Sequence, residues 1–300
     1  MLLVGSLLAL VSGMFNAGAA WLEKREGMRT AAGRRGLRLL AALARRPAWL
    51  VAMVLSALAW VGEAASLALA PVPVVATLRN AGRGLLVVGG GRWLEERFSP
   101  IEVAGVALAS AGGAITAIGA AHSAIVRKPL SNWTELAVGA SCMLAAGLVA
   151  ALSARLATTP GERRRKAAGV ATGVAVGLLF AGTGVFTKEI GDRFAIYGVG
   201  GLTAVLPSAG LWLMVVMSVW AQSLLQQAFR HANAASVSAA NASVASLGLI
   251  GAGFVLYREH LPGGAGAVLL VGGVVVCIAG TVLLLASRPV SVAEAGPGPA

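Results

Sequence analysis

The chain has 300 residues, of which 57% are hydrophobic and only 12% are charged, and its mean hydropathy is +0.81. A soluble domain carries roughly 25% charged residues, so this composition excludes an ordinary soluble protein and predicts an all-α, polytopic membrane protein. The formal net charge is +12, but the basic residues form short clusters between apolar runs. That distribution is typical of topology signals in membrane proteins and argues against a nucleic-acid partner.

Nine segments are apolar over about 20 residues, the length that a helix needs to span a bilayer. In chain order they are roughly 2–22, 48–70, 72–94, 101–121, 135–155, 168–187, 205–229, 234–257 and 264–286. The first runs into Glu23-Lys24-Arg25 without a basic leader or a small-residue cleavage site, so we interpret it as a helix rather than a signal peptide. The seventh is the least defined, because residues 197–207 either belong to it or approach it as a re-entrant segment.

Orientation follows from the loops, since cytoplasmic loops are enriched in lysine and arginine. Seventeen of these residues fall on the side of the basic loop 23–47 and five on the other side. This predicts an outside N-terminus and a cytoplasmic C-terminus. The composition, rich in Ala, Gly and Arg, is typical of a high-GC bacterium and so predicts the plasma (inner) membrane. Within that loop, 33–46 fits either a short amphipathic helix or a solvated basic segment. The tail 287–300 is rich in small residues, proline and glycine, which predicts disorder.

An internal repeat is visible by inspection, because WVGEAASLALAPVPVVATLRN (60–80) lines up with WAQSLLQQAFRHANAASVSAAN (220–241). The matched landmarks are Trp60 with Trp220, Asn80 with Asn241 and Glu96 with Glu259, at offsets of 160, 161 and 163 residues. We therefore predict a first unit at 1–134 (spans 1–4), a linking span and basic inner loop at 135–167, and a second unit at 168–286 (spans 6–9). Five spans precede the second unit, so the two units are predicted to be inverted, as in many secondary transporters.

The first unit resembles the EamA-like drug/metabolite transporter superfamily, and within it most closely the NIPA-type magnesium transporter family. The similarity lies in SGMFNAGAAWLEKREGMR, WVGEAASLALAPVPVV and WLEERFSPIEVAGVALASAGG, with looser matches in TGVFTKEIG, WAQSLLQQAF and the Arg-Glu before LPGG. The resemblance implies a helical bundle that moves a small solute, Mg²⁺ in the NIPA-type family, with Glu63 in the place of the glutamate of the Gly-Glu-Ala motif. The chain departs from the family at 77–86, where Arg79 and Arg83 would repel a divalent cation.

Glu63 is predicted to be the only carboxylate well inside a span. A carboxylate in hydrocarbon is costly unless it is protonated or paired, so we expect Glu63 to have a partner. A tight turn at 70–73 places Glu63 about 13 Å before it and Arg79 about 11 Å after it, which predicts an ion pair between antiparallel helices. Arg83 lies about 6 Å deeper on the same face. In one interpretation the pair locks the hairpin and Arg83 snorkels to the interface. In another, Glu63–Arg79 is a gate or coupling pair, and Asn80 and Arg83 bind an anionic or zwitterionic solute.

The second unit carries amides where the first carries charges. Gln222 and Gln226 are four residues apart and share a helix face. Asn241 occupies the place of Asn80 in the second unit. We predict that these three side chains form the other wall of a substrate pathway; the alternative is a role in helix packing, which such side chains also have. No metal site is assigned, unless Glu63 binds a cation directly. Lys188-Glu189 and Asp192-Arg193 are predicted to be solvated in an outer loop.

The residues show no catalytic set and no cofactor motif, so we expect neither an enzyme nor a cofactor. The predicted function is secondary transport of a small solute by alternating access. The alternatives are a NIPA-type transporter of Mg²⁺ or another divalent cation, for which Arg79 must be neutralised by a partner, and a membrane scaffold that transports nothing. The expected partners are the lipid bilayer, a small-molecule or ion substrate and, in a homodimer, a second copy. A continuous polar cavity between the units favours transport, whereas a dry bundle favours a scaffold.

Overall fold

The computed structural model describes residues 2–30, 37–70, 74–75, 78–79, 99–120, 129–232, 234–258 and 263–286. Within these ranges the regular secondary structure is helical, without strands. The helices are α1 (Leu2–Thr30), α2 (Leu37–Leu43), α3 (Pro47–Leu69), α4 (Pro100–Ala120), α5 (Asn132–Thr158), α6 (Glu162–Tyr197), α7 (Gly201–Val205), α8 (Ala209–Ala228), α9 (Ala234–Val255) and α10 (Ala265–Ala286).

Six helices of the described chain are long and apolar enough to cross a membrane: α1, α3, α5, α6, α8 and α9. Helices α4 and α10 carry shorter apolar stretches, Val103–Thr116 and Ala265–Gly280. The all-helical, multi-pass class is therefore supported. The count of nine spans and the orientation stay predictions, and most of the predicted third span, 72–94, lies outside the described residues, as do Asn80, Arg83 and the tail 287–300.

Several predicted loops are helical instead. Helix α1 continues through residues 23–30, which were expected to begin the basic loop, and α6 continues ten residues past the predicted end of its span to Tyr197. The charged side chains of both extensions make polar contacts inside the bundle, as described below, and hydropathy cannot detect those contacts. Helix α2 supports the helical interpretation of part of 33–46, since Leu39 and Leu43 are buried.

The predicted seventh span begins later than expected. Residues 201–205 form the separate short helix α7, and the chain turns at Leu206-Pro207-Ser208 before α8. Ser208 caps α8, because its side chain accepts a hydrogen bond from the Leu211 backbone N–H at 3.4 Å. The segment that was hard to assign from sequence is thus a short helix and a turn.

Helix α6 lies at the centre of the bundle and packs against α3, α5, α8 and α9. Its small residues permit close packing: a Cβ at Gly177 would lie 2.7 Å from the Asn241 carbonyl oxygen of α9. Helices α4 and α10 form a second close pair. A Cβ at Gly119 of α4 would lie 2.7 Å from the carbonyl oxygen of Gly266 in α10. Glycine is required at these positions because no side chain fits between the backbones.

Candidate functional site

A cavity of about 480 Å³ lies between α1, α3, α6, α8 and α9. A volume of this size falls in the range of small-molecule binding sites. Serine and threonine hydroxyl groups and apolar side chains form much of its wall. The charged and amide side chains that line it are Asn16, Glu23, Glu63, Arg79, Gln222 and Asn241.

Glu63 and Arg79 form an ion pair in the wall of this cavity. An oxygen of the Glu63 carboxylate contacts Nη1 of Arg79, and both residues are buried. The predicted pairing of Glu63 with Arg79 is therefore present, whereas residues 71–73 of the predicted turn lie outside the described residues. Nε of Arg79 is buried without a hydrogen-bond partner among the described residues, so the pair does not use the whole guanidinium group.

Glu23 is a second cavity carboxylate, and the sequence analysis missed it. It lies on the extension of α1, is only 3% exposed, and accepts hydrogen bonds from Gln222 Nε2 at 2.8 Å and Ser56 Oγ at 3.3 Å. Both donors are neutral, and no cation of the described chain pairs with this carboxylate. The expectation that Glu63 is the only carboxylate well inside a span is wrong. Apolar residues before Glu23 and the absence of proline after it were the available signals of a continuing helix.

The predicted amides of the second unit take different positions. Gln222 and Asn241 line the cavity, whereas Gln226 is buried outside it and faces Gly27 of α1. Gln222 and Gln226 still share the helix face that was predicted, because both point toward α1, one turn apart. Oδ1 of Asn241 is buried without a hydrogen-bond partner in the described chain.

A hydrogen bond joins the two sides of the cavity at its aromatic wall. Nε1 of Trp60 on α3 donates to Oγ1 of Thr187 on α6 at 2.9 Å. Trp49 and Phe180 add two further aromatic side chains to the lining. The cavity therefore combines a few fixed polar groups with apolar and aromatic surface, as small-molecule sites do.

Near the end of α6, Lys188, Glu189 and Asp192 are buried and Arg193 is half-buried, so the prediction that these residues are solvated in an outer loop is wrong. Lys188 pairs with Asp192 at 2.7 Å, and Glu189 pairs with Arg193 at 2.8 Å, each four residues apart on one helix face. We call these four residues and Glu135 of α5 the α6 charge network. The available signal was the spacing, because opposite charges at i and i+4 can neutralise each other inside a helical span.

Glu135 joins this network from the neighbouring helix and is fully buried. Its carboxylate accepts a hydrogen bond from Arg193 Nη2 at 3.0 Å and another from the Gly210 backbone N–H at 2.7 Å. Gly210 lies in the first turn of α8, where the partial positive charge of a helix N-terminus favours a carboxylate. Glu135 therefore ties α5 to both α6 and α8.

The cavity is chemically suited to bind a solute. It offers a carboxylate, a neutralised ion pair, amides, hydroxyl groups and aromatic rings. In the described part of the chain, His, Cys, Asp and Glu nowhere form a group of three that would hold a metal ion.

Comparisons with known proteins give no match, whether with protein-family models, curated proteins or solved structures. The resemblance to the NIPA-type family therefore rests on the quoted sequence motifs and remains a prediction.

Proposed function

We propose that this chain is a secondary transporter of the drug/metabolite type, which moves a small solute by exposing the central cavity alternately to the two sides of the membrane. The observation that carries the proposal is a cavity that holds charged and amide side chains among helices that are apolar enough to span a bilayer. Its walls come from α1 and α3 of the first predicted unit and from α6, α8 and α9 of the second. Charged groups at membrane depth are costly and usually functional, which favours transport over a scaffold.

Close contacts within the first predicted unit recur in the second unit at nearly constant residue offsets. A Cβ at Gly5 would lie 2.9 Å from the Cβ of Ala70, and a Cβ at Gly169 would lie 2.8 Å from the Cβ of Ala232. Gly169 is 164 residues after Gly5, and Ala232 is 162 residues after Ala70. This agreement supports a duplicated arrangement in which α6 and α9 repeat α1 and the chain that follows α3.

The same offsets recur beside the cavity. A side chain at Gly13 would collide with the Arg79 carbonyl group, and one at Gly177 would approach that of Asn241. Gly177 again follows Gly13 by 164 residues, and Asn241 follows Arg79 by 162. By these contacts, the residue equivalent to Asn241 in the first unit is Arg79. The sequence comparison had matched Asn241 with Asn80, the next residue along the chain.

Contacts between the two units are related by the same residue offsets. Glu23 of α1 meets Gln222 of α8, and Thr187 of α6 meets Trp60 of α3. Thr187 follows Glu23 by 164 residues, and Gln222 follows Trp60 by 162. A two-fold relation between the units requires such reciprocal contacts, so they support a duplicated arrangement with the cavity between the two units. The inverted plan with nine spans and an outside N-terminus is proposed from the sequence, by the number of predicted spans and the distribution of basic residues.

A divalent-cation path centred on Glu63 is the alternative function. It requires a neutralised Arg79, and Arg79 is neutralised by Glu63 itself. The carboxylate that would bind the metal is then engaged, and the adjacent guanidinium group disfavours a second cation. This arrangement favours an organic solute over Mg²⁺.

Flux measurements test the proposal directly. Proteoliposomes that contain the purified protein are assayed for uptake of Mg²⁺ and of radiolabelled zwitterionic, anionic and cationic metabolites, with Glu63→Gln and Arg83→Gln as variants. Uptake of an organic solute that saturates with concentration supports the proposal. Mg²⁺ uptake that only Glu63→Gln abolishes supports the alternative.

A second test does not require the solute. In a background in which Cys142 and Cys277 are replaced by serine, a cysteine at Ser238 in the cavity wall is labelled with a membrane-impermeant maleimide. We expect labelling from both sides of the membrane, and none for a control cysteine at the exposed, apolar position Leu144 of α5. Labelling from one side alone under every condition contradicts alternating access.

A further inference from the structure

The charges of the cavity do not balance. The ionisable side chains among its described lining residues are Glu23, Glu63 and Arg79. Glu63 and Arg79 neutralise each other in their ion pair. Glu23 is left as a carboxyl group without a cationic partner among the described residues, in a wall that is otherwise neutral and largely apolar.

Glu23 is held in place by groups that do not neutralise it. Gln222 and Ser56 each donate one hydrogen bond, whereas an ionised carboxylate has about four lone-pair sites. The adjacent Lys24 does not line the cavity, and its Nζ donates to the Ala232 carbonyl group at 3.3 Å. The carboxylate therefore has acceptor capacity that only a group from outside the described chain would fill.

Other parts of the wall of this cavity are aromatic and apolar. Trp49, Trp60 and Phe180 line the same cavity as Glu23. Aromatic faces attract cations, and their apolar area binds the hydrocarbon part of a ligand. A buried carboxylate together with aromatic walls is complementary to a cation that carries an apolar body.

We infer that the cavity binds a monovalent organic cation, a protonated amine on an apolar body, with its ammonium group on Glu23. An ammonium group supplies both the charge and the N–H donors that Glu23 lacks. The inference deepens the proposed function, because it assigns the class of the solute, but binding itself does not depend on transport. It places the principal ligand at Glu23, whereas the sequence analysis considered Asn80 and Arg83 for an anionic or zwitterionic solute and Glu63 only for a metal cation.

Other ligand classes fit this cavity less well. An anion would meet an unpaired carboxylate, and its attraction to Arg79 is already reduced by Glu63. Mg²⁺ carries two positive charges, whereas the described wall offers one carboxyl group that is not paired with a cation, and the guanidinium group of Arg79 adds a positive charge to the same wall. A neutral molecule would leave Glu23 without a counter-charge in a site of low dielectric.

The test is calorimetric titration of the purified, detergent-solubilised protein with 2-phenylethylammonium, 2-phenylethanol and 2-phenylacetate. We expect the ammonium compound to bind and the alcohol and the carboxylate to bind more weakly or not at all. The variant Glu23→Gln keeps the shape and the hydrogen-bond capacity of the side chain while it removes the charge. Loss of one charge-assisted hydrogen bond is expected to weaken binding of the ammonium compound by about 10- to 100-fold.

The matched control is Glu26→Gln. Glu26 is also a buried carboxylate of α1, but it pairs with Arg29 at 3.3 Å and does not line the cavity. We expect the control to leave the affinity unchanged. Equal affinities of wild type and a folded Glu23→Gln variant would overturn the inference. If the Glu23→Gln variant does not fold, binding of the three compounds to the wild-type protein still tests the inference. Equal affinities of the wild-type protein for the ammonium compound and for the alcohol would also overturn the inference.

The outcomes separate this inference from the proposed function. Binding of the ammonium compound without flux in proteoliposomes supports the cation site and contradicts transport. Saturable flux of an anionic solute without any ammonium binding supports transport and overturns the cation site.

Discussion

The cavity and the α6 charge network both place carboxylates within helices that are apolar enough to span a membrane, but they differ in how those charges are satisfied. In the network, Glu135, Glu189 and Asp192 each contact a cationic side chain. In the cavity, Glu63 has such a contact, whereas Glu23 has none with the residues that the structure describes. A charge without a counter-charge at membrane depth is expensive unless a ligand neutralises it, so the difference separates a structural cluster from a binding site.

Carboxylates of the network also accept hydrogen bonds from backbone N–H groups, whereas the cavity carboxylates accept none from the backbone of the described residues. Glu189 accepts a hydrogen bond from the Leu130 backbone N–H at 3.1 Å, and Glu135 accepts one from Gly210. Arg193 donates to the Ala204 carbonyl group at 2.5 Å. These bonds connect α5, α6, α7 and α8, so changes in this region are expected to affect stability, whereas changes in the cavity are expected to affect binding.

The largest expected effect comes from Arg193→Met. This substitution leaves Glu135 and Glu189 buried without their shared cation, and removal of one partner of a buried ion pair costs about 3–5 kcal/mol. The free energy of unfolding in detergent micelles measures the loss. The control is Arg155→Met, at an exposed position near the end of α5. If both variants lose the same stability, the network is not the stabilising element that the comparison requires.

The second prediction concerns the Glu63–Arg79 pair and uses a double-mutant cycle. We expect Glu63→Gln and Arg79→Gln to destabilise the protein by about 1–3 kcal/mol each, because each leaves an unpaired charge. The double variant should recover about 0.5–3 kcal/mol of that loss. Solute uptake should remain impaired in the double variant if the pair is part of the binding site. Recovery of both stability and uptake would show instead that the pair only locks the hairpin.

A smaller effect is expected from Gln222→Leu, which removes one donor to Glu23. We expect it to reduce solute binding severalfold and the free energy of unfolding by about 0.5–1.5 kcal/mol, the net value of a hydrogen bond. Gln227→Leu is the control, since Gln227 donates only to Ser223 of its own helix at 3.4 Å and lies outside the cavity. Calorimetric titration of both variants checks the prediction, which fails if they bind the ammonium probe equally.

The smallest expected effect comes from Thr187→Val, which has nearly the same shape. The variant loses the acceptor for Trp60 Nε1 and should be destabilised by about 1 kcal/mol. Chemical denaturation followed by tryptophan fluorescence measures it. The exposed Thr203→Val serves as control, because the Thr203 hydroxyl bonds only to the backbone of Gly200. Identical denaturation midpoints for the two variants would mean that the Trp60–Thr187 bond does not hold α3 against α6.

The sequence by itself determined the all-helical membrane class, because the length and apolarity of a segment are local properties. It also predicted the Glu63–Arg79 pair, since a tight turn at 70–73 leaves two antiparallel helices little freedom in depth. The face shared by Gln222 and Gln226 followed from helical periodicity alone.

Only the tertiary structure decided which charges lie inside. Glu23 and the residues of the α6 charge network look like loop residues to hydropathy, because a charged side chain counts against a span whether or not it has a partner. The partners of Glu23 come from α3 and α8, and Glu135 meets Arg193 across 58 residues of sequence. Burial of a charge depends on groups that are distant in the chain, and folding alone brings those groups together.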